Sequence, residues 1–377
     1  MIKPFRIAVP QADLDDLTDR LARTRWPNEV DDAGWDYGFP LARLQELADH
    51  WRTTYDWRKH EAELNELPHF TTEIDGQNIH FLHVRSPKPD ALPLVLTHGW
   101  PGSFLEFLDM IEPLAQDFHL VVPSIPGYGF SGPTHERGWD VVRIASAWAE
   151  LMSRLDYHRF GAHGGDFGAG ISLALGAVAP ERVVGVHVNY LPTRPDPDLN
   201  LELSATDEAR LAKTRELMAN RPPYQALLAS APQTIGYALT DSPVGQLAWI
   251  AERFAQWTDP ASPIDDDRML TDISLYWLTA TAASSARLHH DAPRRIEPCP
   301  VPVGVAVLPH DITQSVRPLA ERRYQIVHWS ELPRGGHFAA MEVPDLLAED
   351  VRAFFLDGGL ETGQRQREDL PRDEQHQ

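Results

Sequence analysis

The run Gly161-Ala162-His163-Gly164-Gly165-Asp166-Phe167-Gly168-Ala169-Gly170 constrains this chain more than any other stretch. Ahead of it, Asp156-Tyr157-His158-Arg159-Phe160 leads into a short strand; behind it, Ile171-Ser172-Leu173-Ala174-Leu175-Gly176-Ala177 is an apolar helix former. Small residues therefore crowd a strand-to-helix turn with one acid at its tip. A turn of this kind holds its central residue in a strained backbone conformation, and small neighbours two positions away on either side let strand and helix close together. The usual form of such a nucleophile elbow is G-x-S-x-G, and Asp166 stands at the serine position. The plainer reading is a glycine-rich turn whose acid caps a helix.

An acid at that tip changes the chemistry. Serine needs a base before it can attack, whereas a carboxylate with a reference pKa of about 3.9 is already ionised at neutral pH. It can attack a strained or activated carbon directly and leave an alkyl-enzyme ester. Hydrolysing that ester then requires an activated water.

The chain has 377 residues, 42% hydrophobic and 24% charged, long enough for one large domain with insertions or for two. Its formal charge of -21 argues against a nucleic-acid or anionic-membrane surface. The single cysteine, Cys299, excludes an internal disulfide and offers no metal cluster. No apolar run reaches the roughly 18 residues of a membrane span. Met1-Ile2-Lys3-Pro4-Phe5-Arg6 lacks a signal-peptide core, so a cytoplasmic protein is expected.

Residues 1–68 read as a helical, Trp-rich meander. A helix is predicted from Val9-Pro10-Gln11 through Leu21, and a second from Leu41 to Trp51 with Leu41, Leu44, Leu47 and Ala48 on one face. Trp26, Trp35, Trp51 and Trp57 are expected to anchor this segment to a larger body. From 69 to 194 the pattern alternates. Phe70 to Arg85 reads as a hairpin turning at Asp75-Gly76. Buried-strand runs Leu92 to Thr97 and Leu120 to Ile125 follow, and Val183 to Val188 comes after the elbow helix. Strands alternating with helices imply an α/β protein with a mostly parallel sheet covered on both faces. The alternation stops between 195 and 298, a helical, proline-punctuated block that reads as a lid inserted between core strands. Strands resume in 299–358, at Val301 to Val307 and Tyr324 to Val327, and a helix follows from Leu346 to Phe355. Residues 359–377 are polar and charged and are expected to be disordered.

An acid nucleophile on this scaffold needs a histidine and a carboxylate to orient it, in the chain order nucleophile, acid, histidine. His337, in Arg334-Gly335-Gly336-His337-Phe338, follows the last predicted strand; Asp311, in Leu308-Pro309-His310-Asp311, follows the one before. Asp291 and the acids at 265–267 fall in or near the lid and fit less well, and His310 reads as a bystander. His98-Gly99-Trp100-Pro101 follows a strand at the oxyanion-loop position. There the backbone N–H groups of Trp100 and Phe167 can hold the oxygen that becomes negative when water attacks an ester.

Gly164-Gly165-Asp166-Phe167-Gly168, His98-Gly99-Trp100-Pro101 and Arg334-Gly335-Gly336-His337-Phe338-Ala339-Ala340 together resemble the microsomal-type epoxide hydrolase family. The N-terminal meander and the lid stretch Thr234 to Gly245 resemble it too, so the likeness runs from residue 1 to about 357. It implies an α/β-hydrolase fold with a helical lid, no cofactor and no metal. It also implies nucleophile Asp166, base His337 and orienting acid Asp311, acting on a small-molecule epoxide and water. Neither nucleic acid nor membrane is an expected partner, and a homodimer is compatible with the likeness. The family's two lid tyrosines protonate the epoxide oxygen. Tyr224, in Arg221-Pro222-Pro223-Tyr224, matches the first; at the second, within Ser284-Ser285-Ala286-Arg287-Leu288-His289, this chain carries His289. The second donor is then His289, or else Tyr237 or Tyr276. Similar bacterial chains open aryl-substituted epoxides in enediyne antibiotic biosynthesis, which implies a bulky aromatic substrate and a role in antibiotic biosynthesis or detoxification. Two rival functions remain open at this level: a haloalkane dehalogenase, which also uses an Asp nucleophile on this fold, and a non-catalytic ligand-binding relative.

Overall fold

The computed structural model describes residues 1–194, 201–219, 222–291 and 297–356, so the tail at 359–377 lies outside the described residues. Among the described residues nine strands form one sheet: β1 (Lys3–Pro4), β2 (His69–Ile74), β3 (Gln77–Val84), β4 (Leu92–Thr97), β5 (Phe118–Pro123), β6 (Phe160–Gly164), β7 (Val183–Val188), β8 (Val303–Val307) and β9 (Ile326–Glu331). Their spatial order is β1-β2-β3-β5-β4-β6-β7-β8-β9. The first three pair antiparallel, as does β3 with β5; from β5 onward every pairing is parallel.

The helices that precede the lid are α1 (Gln11–Ala22), α2 (Leu41–Thr53), α3 (Trp57–Leu64), α4 (Leu108–Ala115), α5 (Val141–Arg154) and α6 (Asp166–Val178). The block between β7 and β8, read above as a lid, holds α7 (Ala205–Ala219), α8 (Pro223–Ser230), α9 (Pro232–Asp241), α10 (Pro243–Trp257), α11 (Asp266–Leu278) and α12 (Ala282–Asp291); α13 (Arg317–Ala320), α14 (Ala339–Glu342) and α15 (Pro344–Leu356) are the remaining helices among the described residues. Proline opens α8, α9 and α10, where its missing N–H is harmless, and the Ser242 and Asp265 side chains cap α10 and α11.

The continuous apolar runs of the central strands are explained by burial on both faces. Val95 and Val121 point into the layer that holds Ile144, Trp148 and Ile171, while Leu94, Leu96, Leu120 and Val122 point into the layer with Met110, Leu114, Val351 and Phe354. The hairpin turns at Asp75 (φ 52°) and Gly76 (φ 72°), the two positive values that a tight two-residue turn demands.

The sheet order itself places the site. Strand β4 lies between β5 and β6, so the chain runs outward from it in opposite directions, and the loops after β4 and β6 diverge at the carboxyl ends of adjacent strands. Such a switch point is where open α/β sheets bind ligands.

The meander is tied to both the core, where Ile7, Trp57 and Leu64 pack beside Leu82 and Leu94, and the lid. Trp51 Nε1 donates to Ser274 Oγ at 2.9 Å, His50 Nε2 meets Asp267 at 2.6 Å and Arg43 meets Asp266 at 2.5 Å. Trp51 and Trp57 are buried as expected, but Trp26 and Trp35 are 37% and 48% exposed and do not act as anchors. Their segment carries turns rather than a helix, so no apolar face sequesters them. The meander also supplies β1, whose two residues are too few to leave a period-2 signature.

Candidate active site

Asp166 begins α6 with φ at 47°, a left-handed conformation that a non-glycine residue adopts only when its surroundings impose it. The surroundings do so through close packing. A Cβ on Gly168 would sit 1.8 Å from Thr97 O, and one on Gly164 would sit 2.5 Å from Gly168 C, so neither position accepts a side chain. The turn lifts the Asp166 carboxylate above the sheet, where 23% of the side chain stays accessible.

Three loops and the start of α6 come together around that carboxylate. Trp100 N–H, in the loop after β4, donates to Asp166 Oδ1 at 2.9 Å, and the Phe167 N–H also bonds the carboxylate. His337, past β9, places Nε2 at 3.5 Å from Asp166 Oδ2. Its Nδ1–H donates to Asp311 Oδ1 at 2.7 Å, in the loop after β8. Asp311 is in turn fixed by the Ile312 N–H at 2.7 Å. His98 is structural: Nδ1–H donates to Gly99 O at 2.9 Å and Nε2 accepts from Ile125 N–H at 3.1 Å, and burial lowers the ring to about 4, so it stays neutral.

Electrostatics divide the charges. Burial would raise Asp166, but His337 and the two backbone N–H groups outweigh it and hold the carboxyl below its ordinary value. Burial would lower His337, but the Asp311 and Asp166 carboxylates overcome it and raise the imidazole to about 10. Glu106 lies behind the oxyanion loop with Oε1 3.4 Å from Gly99 N; burial, then Asp272, pushes it up to about 8, so it is mostly uncharged at neutral pH.

The lid closes over this centre with aromatic rings. Tyr224 stacks on Trp100 with centroids 5.5 Å apart and planes at 11°. His289 meets Trp100 at 5.0 Å and Phe167 at 4.8 Å, both edge-on, and lies 6.4 Å from Tyr224. Burial and the nearby Asp166 raise the Tyr224 hydroxyl, which keeps it protonated, while Arg253, whose guanidinium lies 4.7 Å over the ring, pulls it down.

Of the alternative donors, Tyr237 is 70% exposed, and the buried Tyr276 donates its hydroxyl to Gly102 O at 2.7 Å. The other lid acids are occupied structurally: Asp265 caps α11, Asp266 and Asp267 bind the meander, and Asp291 accepts from Gly138 N–H at 3.3 Å. His310 points to Asp259 at 3.5 Å and stays half exposed.

Sequence reasoning missed four neighbours of the site. Tyr190 sets its ring edge-on to His337 at 5.3 Å, and its place just past β7 was the available signal. Trp257 packs on the same imidazole at 5.0 Å. Arg253 and Glu342 left no pattern, because a lid helix and a single-turn helix carry no spacing that marks them.

His187, His328 and Asp350 bring three ligand-type atoms within 4.8 Å of one another. Each imidazole Nε2 is already bonded to a different Asp350 oxygen, at 2.9 and 2.8 Å, so the trio reads as a clasp between α15 and the sheet. Among the described residues no helix is long and apolar enough to cross a membrane.

The sheet order, the strained acid at the strand-to-helix turn and the match of residues 93–226 to the alpha/beta hydrolase fold define the class: this is an α/β hydrolase. Residues 2–107 match the family described as "Epoxide hydrolase N terminus". A protein of Stigmatella aurantiaca (strain DW4/3-1), provisionally described as an epoxide hydrolase, is 46% identical over 375 residues, 94% of this chain and 84% of that one. Epoxide hydrolase 1 of Sus scrofa is 34% identical over 405 residues, 94% and 88% of the two chains. The solved Aspergillus niger epoxide hydrolase superposes with a TM-score of 0.87 at 32% identity, covering 94% of this chain and 96% of that one. The chain belongs to the epoxide hydrolase family.

Proposed function

We propose that the protein opens an epoxide to a vicinal diol through a covalent ester on Asp166. The observation that carries this reading is the carboxylate's double engagement. Asp166 Oδ1 rests on the Trp100 N–H at 2.9 Å while Oδ2 lies 3.5 Å from a histidine that Asp311 orients.

In the first step Asp166 Oδ2 attacks an epoxide carbon, the C–O bond breaks, and the ring oxygen takes a proton from the Tyr224 hydroxyl. His289 is the second donor beside it. An alkoxide forming in a dry pocket is costly unless such a donor meets it. Ester formation removes the Asp166 charge that held the His337 proton, so the imidazolium releases that proton and the Tyr224 phenolate recovers one, which leaves His337 neutral and Tyr224 a phenol again. In the second step neutral His337 takes a proton from water, and the hydroxide adds to the Asp166 carbonyl carbon. The resulting oxyanion forms on Oδ1, under the N–H groups of Trp100 and Phe167. Collapse breaks the ester C–O bond and the imidazolium protonates the departing diol oxygen. The carboxylic acid left on Asp166 then returns its proton to His337, which restores the resting pair.

The substrate is a bulky, aryl-substituted epoxide. Support comes from the aromatic rings of Trp100, Tyr224, Phe167 and Trp257 around the nucleophile. A flat ring gains both area and stacking in such a slot. A cytoplasmic location, in keeping with the acidic balance, and a homodimer belong to the same proposal.

The test is turnover of styrene oxide beside a chloroalkane, with His337→Gln as a trap. Diol from the epoxide and a stable ester on Asp166 in the variant are expected. Chloride release without diol would make the protein a dehalogenase, and epoxide binding without turnover would make it a non-catalytic relative.

A further inference from the structure

The loop that carries His337 has four consecutive amide N–H groups, and each is held. Gly335 N–H donates to Asp259 Oδ2 at 2.8 Å, Gly336 N–H to Glu342 Oε2 at 2.8 Å, His337 N–H to Trp257 O at 2.9 Å and Phe338 N–H to Glu342 Oε1 at 2.8 Å. Glu342 Oε2 also accepts from Asp259 N–H at 2.7 Å. One buried carboxylate thus binds the residues on both sides of His337 and, through Asp259, the end of the lid segment that follows α10. The fit is close, since a Cβ on Gly336 would lie 2.4 Å from Trp257 O.

We propose that Glu342 is a positioning residue for ester hydrolysis: its carboxylate sets the backbone on both sides of His337 and locks that loop to the lid. The inference rests on the base role given to His337 above. The imidazole must keep Nδ1 on Asp311 at 2.7 Å while Nε2 faces the nucleophile at 3.5 Å. Both distances depend on the direction of the His337 Cα–Cβ bond, which the flanking peptides fix.

Glutamate is specifically suited to this place. Three N–H donors converge on two oxygens, so both oxygens must accept. An amide of the same shape offers one accepting oxygen and one NH₂ donor. It leaves either Phe338 N–H or the Gly336 and Asp259 pair facing another donor, and a buried donor without an acceptor pushes the backbone away. The position of Asp166 comes from α6 and the Trp100 loop rather than from this one. The two chemical steps should therefore separate.

The test is single-turnover quenched flow with styrene oxide, following the Asp166 ester by mass spectrometry in wild type and Glu342→Gln. A misplacement of about 1 Å at a catalytic group typically costs on the order of 100-fold. Ester formation is expected within about threefold of wild type, and ester hydrolysis is expected to fall roughly 10- to 100-fold, so that ester accumulates. Should Glu342→Gln not fold, Glu342→Asp, which keeps both oxygens but draws them back by one methylene, is read in the same way. Hydrolysis at the wild-type rate, or equal losses in both steps, would overturn the assignment and leave the covalent mechanism standing. Absence of any ester in wild type would overturn the mechanism and this inference with it.

Discussion

Alkylation of Asp166 is expected to turn His337 from an acid into a base. In the resting enzyme the imidazole is raised to about 10, because the Asp311 and Asp166 carboxylates outweigh its burial. Forming the ester removes one of those charges, 3.5 Å from Nε2. Two unit charges at that separation interact by about 4–5 kcal/mol at an effective dielectric near 20, equivalent to roughly three to four pH units. In the ester the imidazole should then titrate near about 6–7. The proton it gives up equals in number the proton taken by the opening ring, so the first half-reaction needs no net proton from solvent. The direction follows from the chemistry. Only neutral His337 can accept a proton from water, so hydrolysis should rise with pH and level off above about 7.5. Alkylation needs the Asp166 carboxylate, held below its ordinary value, and the Tyr224 phenol, held above its own, and should stay flat from about pH 6 to 9. Preforming the ester at about pH 5.5 and jumping the pH in a double-mixing experiment separates the two rates. A hydrolysis midpoint remaining near 10, or no pH dependence at all, would refute the charge-removal argument.

Tyr224→Phe should slow alkylation on the order of 10²- to 10³-fold by stopped flow while leaving hydrolysis of the ester unchanged. Unchanged alkylation would remove Tyr224 as the acid. His289→Ala added to Tyr224→Phe should lower alkylation further, and a double variant no slower than the single one would exclude His289 as a donor. Gly168→Ala forces a methyl against Thr97 O and should cost ~3 kcal/mol or more in urea unfolding; a neutral effect would contradict the packing described for the elbow. Asp350→Ala removes the partner of two imidazoles and should cost about 3–5 kcal/mol at pH 7. The folded pKa of Asp350 is depressed against its burial by His187 and His328. Its stabilisation is therefore present above the unfolded value of about 3.9 and fades as pH falls below it, so the difference between Asp350→Ala and wild type should shrink in acid.

Much of this architecture was legible because two separate signals coincided. Leu92 to Thr97 and Val183 to Val188 read as buried strands from continuous apolar runs, and they are β4 and β7. The elbow glycines read as close approach, and the left-handed Asp166 is the consequence. The convergence of Asp166, His337 and Asp311 followed from chain order on a known scaffold, and Tyr224 with His289 followed from the resemblance. What stayed hidden has physical reasons. Strand β1 is two residues long and shows no period. Trp26 and Trp35 are large and apolar yet exposed, since residue type alone does not reveal whether a loop has anything to pack against. Arg253 acts through the face of a ring, and Glu342 through three backbone N–H groups. Neither kind of contact leaves a mark in sequence spacing.

The covalent ester is tested most directly by one turnover in oxygen-18 water, with enzyme in excess over styrene oxide. Water that attacks the Asp166 carbonyl leaves its oxygen in the carboxylate. Mass spectrometry of the peptide containing Asp166 should therefore find the label there, and the first diol released should carry none. Label in that first diol, with Asp166 unlabelled, would mean that water attacks the epoxide itself, and the covalent account would be wrong.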